Sequence, residues 1–409
     1  MINLNKFFNI FFEPRNAYIL LIFIILVFYA LPSLILFFIK GEVYDYQLFF
    51  LAFLAISGLF IGANSKSYDS FFLKKKKNLN PQRFVNFFFF IFIINMFLVI
   101  YVRPDIPLFN ALIGGGTQQE LSAQRGYLKN ASGLAFFVNY INVALLNSII
   151  PLCIGMSFYY NLKLKKIILL MYIGFAILFL QKALFISAIL PVLVALKMRN
   201  KLKFGKLFFV VIFIFSLLYF LTSVSVDKSV GYYYIDKSLV SFFSANFETG
   251  SSLEFLIWRS IGIPYATAID TLKFFDIYLN NIFLLGSTSS IISLFLGMER
   301  VNVEQLVFLY QYSSVNFFSE DSIGRANSIY LVDAYINFSW FGVFIISFII
   351  GLIFRGFWKS NENVWSVLFL LFLIQLSSVG FIGILLSGGY FFVLILMLNY
   401  DFKSFTNSN

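Results

Sequence analysis

The residues best suited to chemistry lie together between positions 325 and 337. Asn327 and Ser328 are good N-caps for an apolar helix that follows them, and Arg325 immediately precedes them. Asp333 lies less than two turns into this helix, with Asn337 at i+4 on the same face. A guanidinium beside the positive end of a helix favours an anion such as phosphate, and a carboxylate in an apolar helix is suited to general base work.

Asp333 also has a structural alternative, in which it neutralises a buried cation such as Lys182. The apolar segment between the basic residues Lys166 and Lys197 must leave and return to the same side, which gives two arms of about 15 residues, or roughly 22 Å each. Because this is shorter than a bilayer, we expect Gln181 and Lys182 at the hairpin tip to lie inside the protein, where a cation needs a partner.

A second group of charged residues precedes this segment. Ser251 to Glu254 match a capping box, so a helix should begin there, carry Arg259, and be stopped or kinked by Pro264. Arg259 lies among apolar residues. It is either a bidentate clamp on a phosphate-bearing substrate or an interfacial cation that pairs with a carboxylate such as Glu248 or Glu254.

A glycine run, Gly114 to Gly116, is followed by Arg125 and Lys129. This pattern is compatible with a mobile substrate loop and with a plain flexible connection.

Several kinds of chemistry are excluded by composition. The 409 residues contain no histidine, which excludes a Ser-His-Asp triad and a histidine-ligated metal, and the single cysteine, Cys153, can form no intrachain disulfide. Apolar residues make up 60% of the chain, charged residues 12%, and the mean hydropathy is +0.87, so lipid must be its main solvent. The net charge of +11 comes from short clusters between apolar runs, which is typical of topology signals and not of nucleic-acid binding.

These residues must be positioned by membrane helices. About ten apolar runs of near-spanning length are present. They are Ala17–Ile39, Leu48–Ala63, Phe84–Val102, Leu134–Tyr159, Ile167–Leu180, Ala183–Leu196, Leu207–Val224, Ile329–Phe354, Val364–Leu386 and Tyr390–Leu398. The predicted fold class is therefore an all-α polytopic membrane protein with 10 to 12 transmembrane helices.

Basic residues mark one side of this arrangement. If the runs alternate, the clusters at residues 6–15, 74–83, 163–166, 197–206 and 355–359 share a side, which predicts cytoplasmic N- and C-termini. This topology divides the chain into three parts. Residues 1–224 would hold seven transmembrane helices, residues 225–328 would form a periplasmic and re-entrant active-site region, and residues 329–409 would hold the last three helices.

The layout and the local residues resemble the O-antigen polymerase family, the polymerases of lipid-linked oligosaccharide repeat units. The resemblance rests on Arg259 with Pro264 and Phe274-Phe275 beyond it, and on the stretch from Gly324 through Asn327, Tyr330, Asp333, Tyr335 and Asn337 to Gly342. One departure is Ser339-Trp340-Phe341-Gly342, where the family more often has a glycine sooner after the phenylalanine.

The resemblance implies an enzyme of the bacterial inner membrane that joins undecaprenyl-pyrophosphate-linked glycans at the periplasmic face. It implies inverting glycosyl transfer without cofactor or metal, and possible partnership with a chain-length regulator and a flippase. The implied catalytic carboxylates are Asp333, Glu254 and Glu248. The implied substrate-binding residues are Arg259, Arg325, Asn327, Lys182, Arg125 and Tyr335.

Two alternatives stay open. A lipid-linked oligosaccharide flippase would have similar size and basicity, but it would distribute its spans evenly and would not need the hundred-residue outer region. An O-antigen ligase shares the layout, yet ligases typically depend on a histidine, which this sequence lacks.

Overall fold

The structure is a computed structural model that describes residues 11–74, 76–102, 105–113, 133–201, 212, 216, 238–245, 247, 252–312, 325–326, 328–360 and 363–402. Apart from two strands of three residues, its regular elements are helices, so the predicted all-α class is confirmed. The predicted run Leu207–Val224 lies outside the described residues except for positions 212 and 216.

Five described helices are long and apolar enough to cross a membrane. They are α1 (Pro14–Lys40), α2 (Val43–Asn64), α4 (Pro81–Val102), α6 (Gly133–Tyr159) and α13 (Tyr330–Lys359). α1 and α6 each contain one π-helical turn, Leu26–Ala30 and Leu145–Ile149, and Pro32 and Pro151 follow these turns closely. A proline removes one helical N–H and crowds the preceding turn, which the wider π turn accommodates.

The remaining helices are too short or, in the case of the 28-residue α10, not apolar enough to count as spans, so the predicted count of about ten spans is not confirmed. They are α3 (Asp69–Leu73), α5 (Pro107–Ile113), α7 (Lys165–Leu178), α8 (Lys182–Met198), α9 (Leu239–Phe242), α10 (Ser252–Leu279), α11 (Ser290–Leu296), α12 (Val303–Gln311), α14 (Phe369–Leu376), α15 (Phe381–Leu385) and α16 (Tyr390–Asn399). α7 and α8 form the expected short hairpin, with arms of 14 and 17 residues.

The predicted span Val364–Leu386 is broken. A 3₁₀ segment, Asn363–Leu368, leads into α14, which ends at Leu376, and α15 begins only at Phe381. Ser377 and Ser378 bond back to carbonyls of α14, and Gly380 starts the next helix in an extended conformation. Hydroxyls that compete for backbone carbonyls and a flexible glycine favour a break here.

α2 and α13 are packed side by side and run in the same direction, because Phe50 contacts Trp340, Gly58 contacts Phe344, and Ala63 accepts from Arg355. Gly58 and Gly62 allow this approach. A Cβ atom at residue 62 would lie 2.1 Å from the backbone oxygen of Phe348. This is the small-residue spacing that lets membrane helices approach backbone to backbone.

Basic and acidic residues gather at one end of this helix pair. Asp69 accepts two hydrogen bonds from Arg355, and Arg15 lies over the Trp358 ring. β1 (Lys77–Leu79) pairs in parallel with β2 (Tyr400–Phe402). Arg15 and Arg355 thus lie at the end where α2 and α13 finish, and the β1–β2 pair joins the segment before α4 to the segment after α16.

The middle of the chain, α10 to α12, packs onto the opposite end. α10 reaches the first turn of α2, where the Tyr265 hydroxyl donates to Asp45 and Lys273 pairs with Glu42 at 2.7 Å. Pro264 lies inside α10, which continues to Leu279, so of the two expected effects of this proline, a stop or a kink, the stop is excluded. The expected helix start is confirmed, because α10 begins at Ser252.

Candidate functional site

The candidate site forms around a break in α13. Phe338 and Ser339 leave helical geometry, with Ser339 at φ 62° and ψ −165°. The carbonyls of Ile336 and Asn337 accept hydrogen bonds of 3.0 Å from the backbone N–H groups of Leu284 and Leu285. The carbonyl groups next to the break are thus hydrogen-bonded by the loop between α10 and α11. These bonds hold the loop against the first two turns of α13.

Asp333 is partly buried in the first of these turns and is held by hydroxyl and amide groups. The Asn337 amide donates to Asp333 Oδ1 at 3.1 Å, and Thr288 Oγ1 lies 3.4 Å from the same oxygen. The Asn337 carbonyl oxygen in turn accepts from the Gly286 N–H at 2.9 Å. Asp333 therefore sits in a hydrogen-bonded cluster made by the 286–288 loop and the broken helix.

The second interrupted segment meets the first at this carboxylate. An ideal Cβ atom at Gly380 would lie 2.4 Å from Asp333 Oδ2, so only glycine fits at position 380. The breaks in α13 and between α14 and α15 therefore lie beside one side chain. Irregular backbone within a membrane protein is tolerated where it lines a cavity or is buried in protein, and such breaks commonly build binding sites.

Two arginines and one glutamate adjoin this cluster. Arg300 Nε donates to the Thr288 carbonyl at 3.3 Å, and Arg325 Nη1 lies 3.8 Å from Glu304 Oε2. Desolvation lowers the pKa of Arg300, the nearby charge of Arg325 lowers it further, and Glu304 raises it. Arg325 pairs with Glu304, whereas no ion pair of Arg300 is found among the described residues, so the Arg300 guanidinium is available to an anion.

A groove of about 920 Å³ opens on the other side of the α13 break. Its walls include Tyr44, Gln47, Lys273, Asp276, Asn281 and Trp340. Asp276 accepts from the Tyr44 hydroxyl at 2.7 Å and from the Asn281 amide at 2.6 Å. These two hydrogen bonds, Tyr44 first, lower the pKa of Asp276.

The expected site residues are brought together only in part. Arg325 adjoins the Asp333 cluster as expected. Tyr335 instead packs among aromatic rings, 4.9 Å from Trp340 and 5.8 Å from Phe275 between centroids. The N-cap of α13 is Ile329 without a side-chain cap, so the capping expected of Ser328 is wrong.

Other expected residues lie elsewhere or cannot be placed. Glu254 and Arg259 lie in the first turns of α10, and no described contact joins either one to Asp333. Glu248, Asn327 and Arg125 lie outside the described residues, as does the side chain of Lys182. Among the side chains that the structure describes, no Lys or Arg forms an ion pair with Asp333.

Thr288, Arg300, Glu304 and Gly380 were not expected from the sequence. Arg300 and Glu304 are spaced i, i+4, which could have suggested a charged pair, but Arg300 precedes α12 and bonds to Thr288 instead. Comparison of the chain with family models, with curated proteins and with solved structures finds no match.

Proposed function

We propose that this protein is a membrane glycosyltransferase that polymerises undecaprenyl-pyrophosphate-linked oligosaccharide repeat units at the periplasmic face of the bacterial inner membrane. The observation that carries the proposal is the position of Asp333. It lies where two interrupted helical segments meet, and Thr288 connects its cluster to Arg300, with Arg325 nearby.

The reaction needs a base and an anion site at neighbouring positions. A hydroxyl on the acceptor sugar attacks the anomeric carbon of the donor glycan, and the bond from that carbon to the pyrophosphate oxygen breaks. The lipid pyrophosphate leaves with the electron pair, and the hydroxyl proton passes to Asp333. Arg300 and Arg325 stabilise the negative charge that develops on the leaving group.

Orientation is part of the proposal. The charged end with Asp69 and Arg355 would face the cytoplasm, and the Asp333 cluster and the groove would face the periplasm. Basic residues near membrane helices concentrate on the cytoplasmic side, which supports this arrangement. Reporter fusions at Lys76 and Lys201 should then report a cytoplasmic location, whereas fusions at Gly115 and Tyr233 should report a periplasmic one.

A flippase is a second candidate because interrupted helices that meet at a carboxylate are also typical of transporters. The two functions differ in the glycolipid that accumulates when the gene is deleted. Loss of a polymerase leaves lipid core that carries one repeat unit, whereas loss of a flippase leaves core without any repeat unit. Electrophoresis of the glycolipid separates these products.

A reconstituted assay tests the chemistry directly. The purified protein, supplied with lipid-linked repeat units and no nucleotide sugar, should produce chains of several units. Asp333→Asn should keep its normal abundance and thermal stability but lose turnover, with Asp105→Asn as a matched exposed control. A variant that is unstable and scarce would instead indicate that Asp333 is a structural counter-ion, because an unpaired buried cation costs about 3–5 kcal/mol.

A further inference from the structure

The groove beside Trp340 has a different chemical character from the arginine cluster. Its charged residues are Glu42, Lys273 and Asp276, and Lys273 is already paired with Glu42 at 2.7 Å. Asp276 is exposed, and no described Lys or Arg forms an ion pair with it. The excess charge is negative, which disfavours a phosphate occupant, and the Asp276 carboxylate can accept hydrogen bonds from the hydroxyl groups of an uncharged ligand.

The Asp276 carboxylate is held in a fixed position from which it can accept hydrogen bonds from such a ligand. The Tyr44 hydroxyl and the Asn281 amide fix one carboxylate oxygen each, and every carboxylate oxygen retains a second lone pair for a ligand hydroxyl. Hydrogen bonds to an ionised carboxylate are stronger than those between neutral groups. Gln47 adds a side-chain amide to the same wall.

Aromatic rings supply the second element of recognition. Trp340 is positioned by a T-shaped contact with Phe50 at 5.1 Å and a tilted contact with Tyr335 at 4.9 Å between ring centroids. Tyr44 lies in the same wall beneath the ammonium group of Lys273. Aromatic faces carry partial negative charge, which attracts the weakly positive C–H groups on the face of a sugar ring. A carboxylate beside rigid aromatic rings is therefore suited to a saccharide.

The Asp333 cluster and the groove lie before and after the same break in α13. Trp340 follows the helix break, Asn337 precedes it, and Asp333 lies seven residues before Trp340 in the chain. We propose that the groove is a saccharide site that holds the glycan of a lipid-linked unit while its terminal sugar reaches Asp333. This inference rests on the proposed function and assigns its sugar-binding surface.

The experiment measures binding of two probes to the full-length protein in lipid nanodiscs. One probe is the single-repeat-unit oligosaccharide released by mild acid from the polyprenyl-pyrophosphate lipid of the source strain. The other is inorganic pyrophosphate. Asp276→Asn and Trp340→Ala should each weaken oligosaccharide binding about tenfold or more and leave pyrophosphate binding unchanged. Tyr44→Phe and Trp340→Phe are milder variants in case truncation disturbs folding.

Matched controls separate recognition from anchoring at the membrane interface. Tyr101→Ala removes an aromatic ring that is 80% exposed at the end of α4, and Asp105→Asn removes an exposed carboxylate, so both should bind the oligosaccharide normally. Oligosaccharide binding that is undetectable, or equal in the groove variants and the controls, would overturn the proposal. The proposal would also be overturned if brominated phospholipid quenches the fluorescence of Trp340 and added oligosaccharide does not reverse this quenching. Lipid, and not the oligosaccharide, would then fill the groove.

The two proposals can fail separately. If the oligosaccharide binds and the groove variants weaken it, but the reconstituted protein joins no repeat units, the groove remains a saccharide site and the polymerase proposal alone fails. If polymerisation proceeds but binding is indifferent to Asp276 and Trp340, only the groove assignment fails.

Discussion

The backbone of Gly380 lies against the carboxylate of Asp333, so closely that a Cβ atom at residue 380 would be 2.4 Å from Oδ2. The position of Asp333 therefore depends on a glycine that lies more than forty residues later in the chain. Since Asn337 and Thr288 hold the other carboxylate oxygen, any side chain at residue 380 must push Asp333 away from these partners.

Gly380→Ala should lower turnover about 100-fold, because a displacement of about 1 Å at a reacting group can cost that much. Gly383→Ala is the matched control, since its new methyl group would have its nearest neighbour at 3.7 Å, an ordinary contact. The rate of chain elongation by purified protein is the measurement. Equal rates in the two alanine variants would contradict a catalytic role for the Asp333 position.

Arg300→Ala and Arg325→Ala should each reduce turnover about 100-fold or more, by analogy with loss of one donor to a developing negative charge. Lysine should rescue only in part, because it keeps the charge and loses the planar two-pronged contact. Arg83→Lys, an exposed arginine at the start of α4, is the control and should behave as wild type. Full activity in both lysine variants would show that the bidentate contact is not needed.

Gly62→Ala should destabilise the protein by about 1–3 kcal/mol, because its methyl group would collide with the backbone of Phe348, which cannot move without separating α2 from α13. Gly174→Ala in α7 meets no atom within 4 Å and should be neutral or slightly stabilising. Thermal unfolding in detergent measures both. A similar Tm for the two variants would argue against backbone-to-backbone packing of these helices.

Acid should weaken the contact between Asp69 and Arg355. The hydrogen bond from Arg355 is the main cause that lowers the pKa of Asp69 below its ordinary value of 3.8. A carboxylate with a lowered pKa contributes stability above its ordinary pKa and loses it as the pH falls through the lowered value. Wild type should therefore exceed Asp69→Asn in Tm at about pH 7, and this difference should shrink below pH 3.8. A difference that is constant with pH would refute the assignment, and Asp105→Asn serves as the control.

The sequence predicted helices well where the apolar run was long and free of interruptions. α2 and α4 agree with the predicted runs to within a few residues, because lipid forces every backbone group to be satisfied within the helix. The prediction failed at Val364–Leu386, since hydropathy counts leucine and phenylalanine but does not register Ser377, Ser378 and Gly380 as a break. The break in α13 at Phe338 and Ser339 has no local signal, because its freed carbonyls are satisfied by Leu284 and Leu285 from a distant loop.

The site, like the helices, was predictable where the sequence carries a local signal and not where distant residues come together. Asp333 and Arg325 were predicted to belong to one site because they are near each other in sequence and stand out in an apolar context; Arg325 pairs with Glu304 beside the Asp333 cluster, and the roles of both residues stay predictions. Thr288 and Gly380 are ordinary residues in sequence, and only folding brings them to Asp333. Arg259 stood out for the same reason as Asp333, yet it is exposed on α10 and has no described contact with the cluster.

The pairing of β1 with β2 sets an order on the assembly of this protein. Lys77–Leu79 emerges from the ribosome before most of the helices that the structure describes, whereas Tyr400–Phe402 is made after all of those described helices. The pairing can therefore form only after residues 400–402 have been translated. The β1–β2 pairing is thus a late step of folding. A fusion partner placed after residue 402 should preserve it, whereas a chain truncated before Tyr400 should insert its helices but lack this pairing.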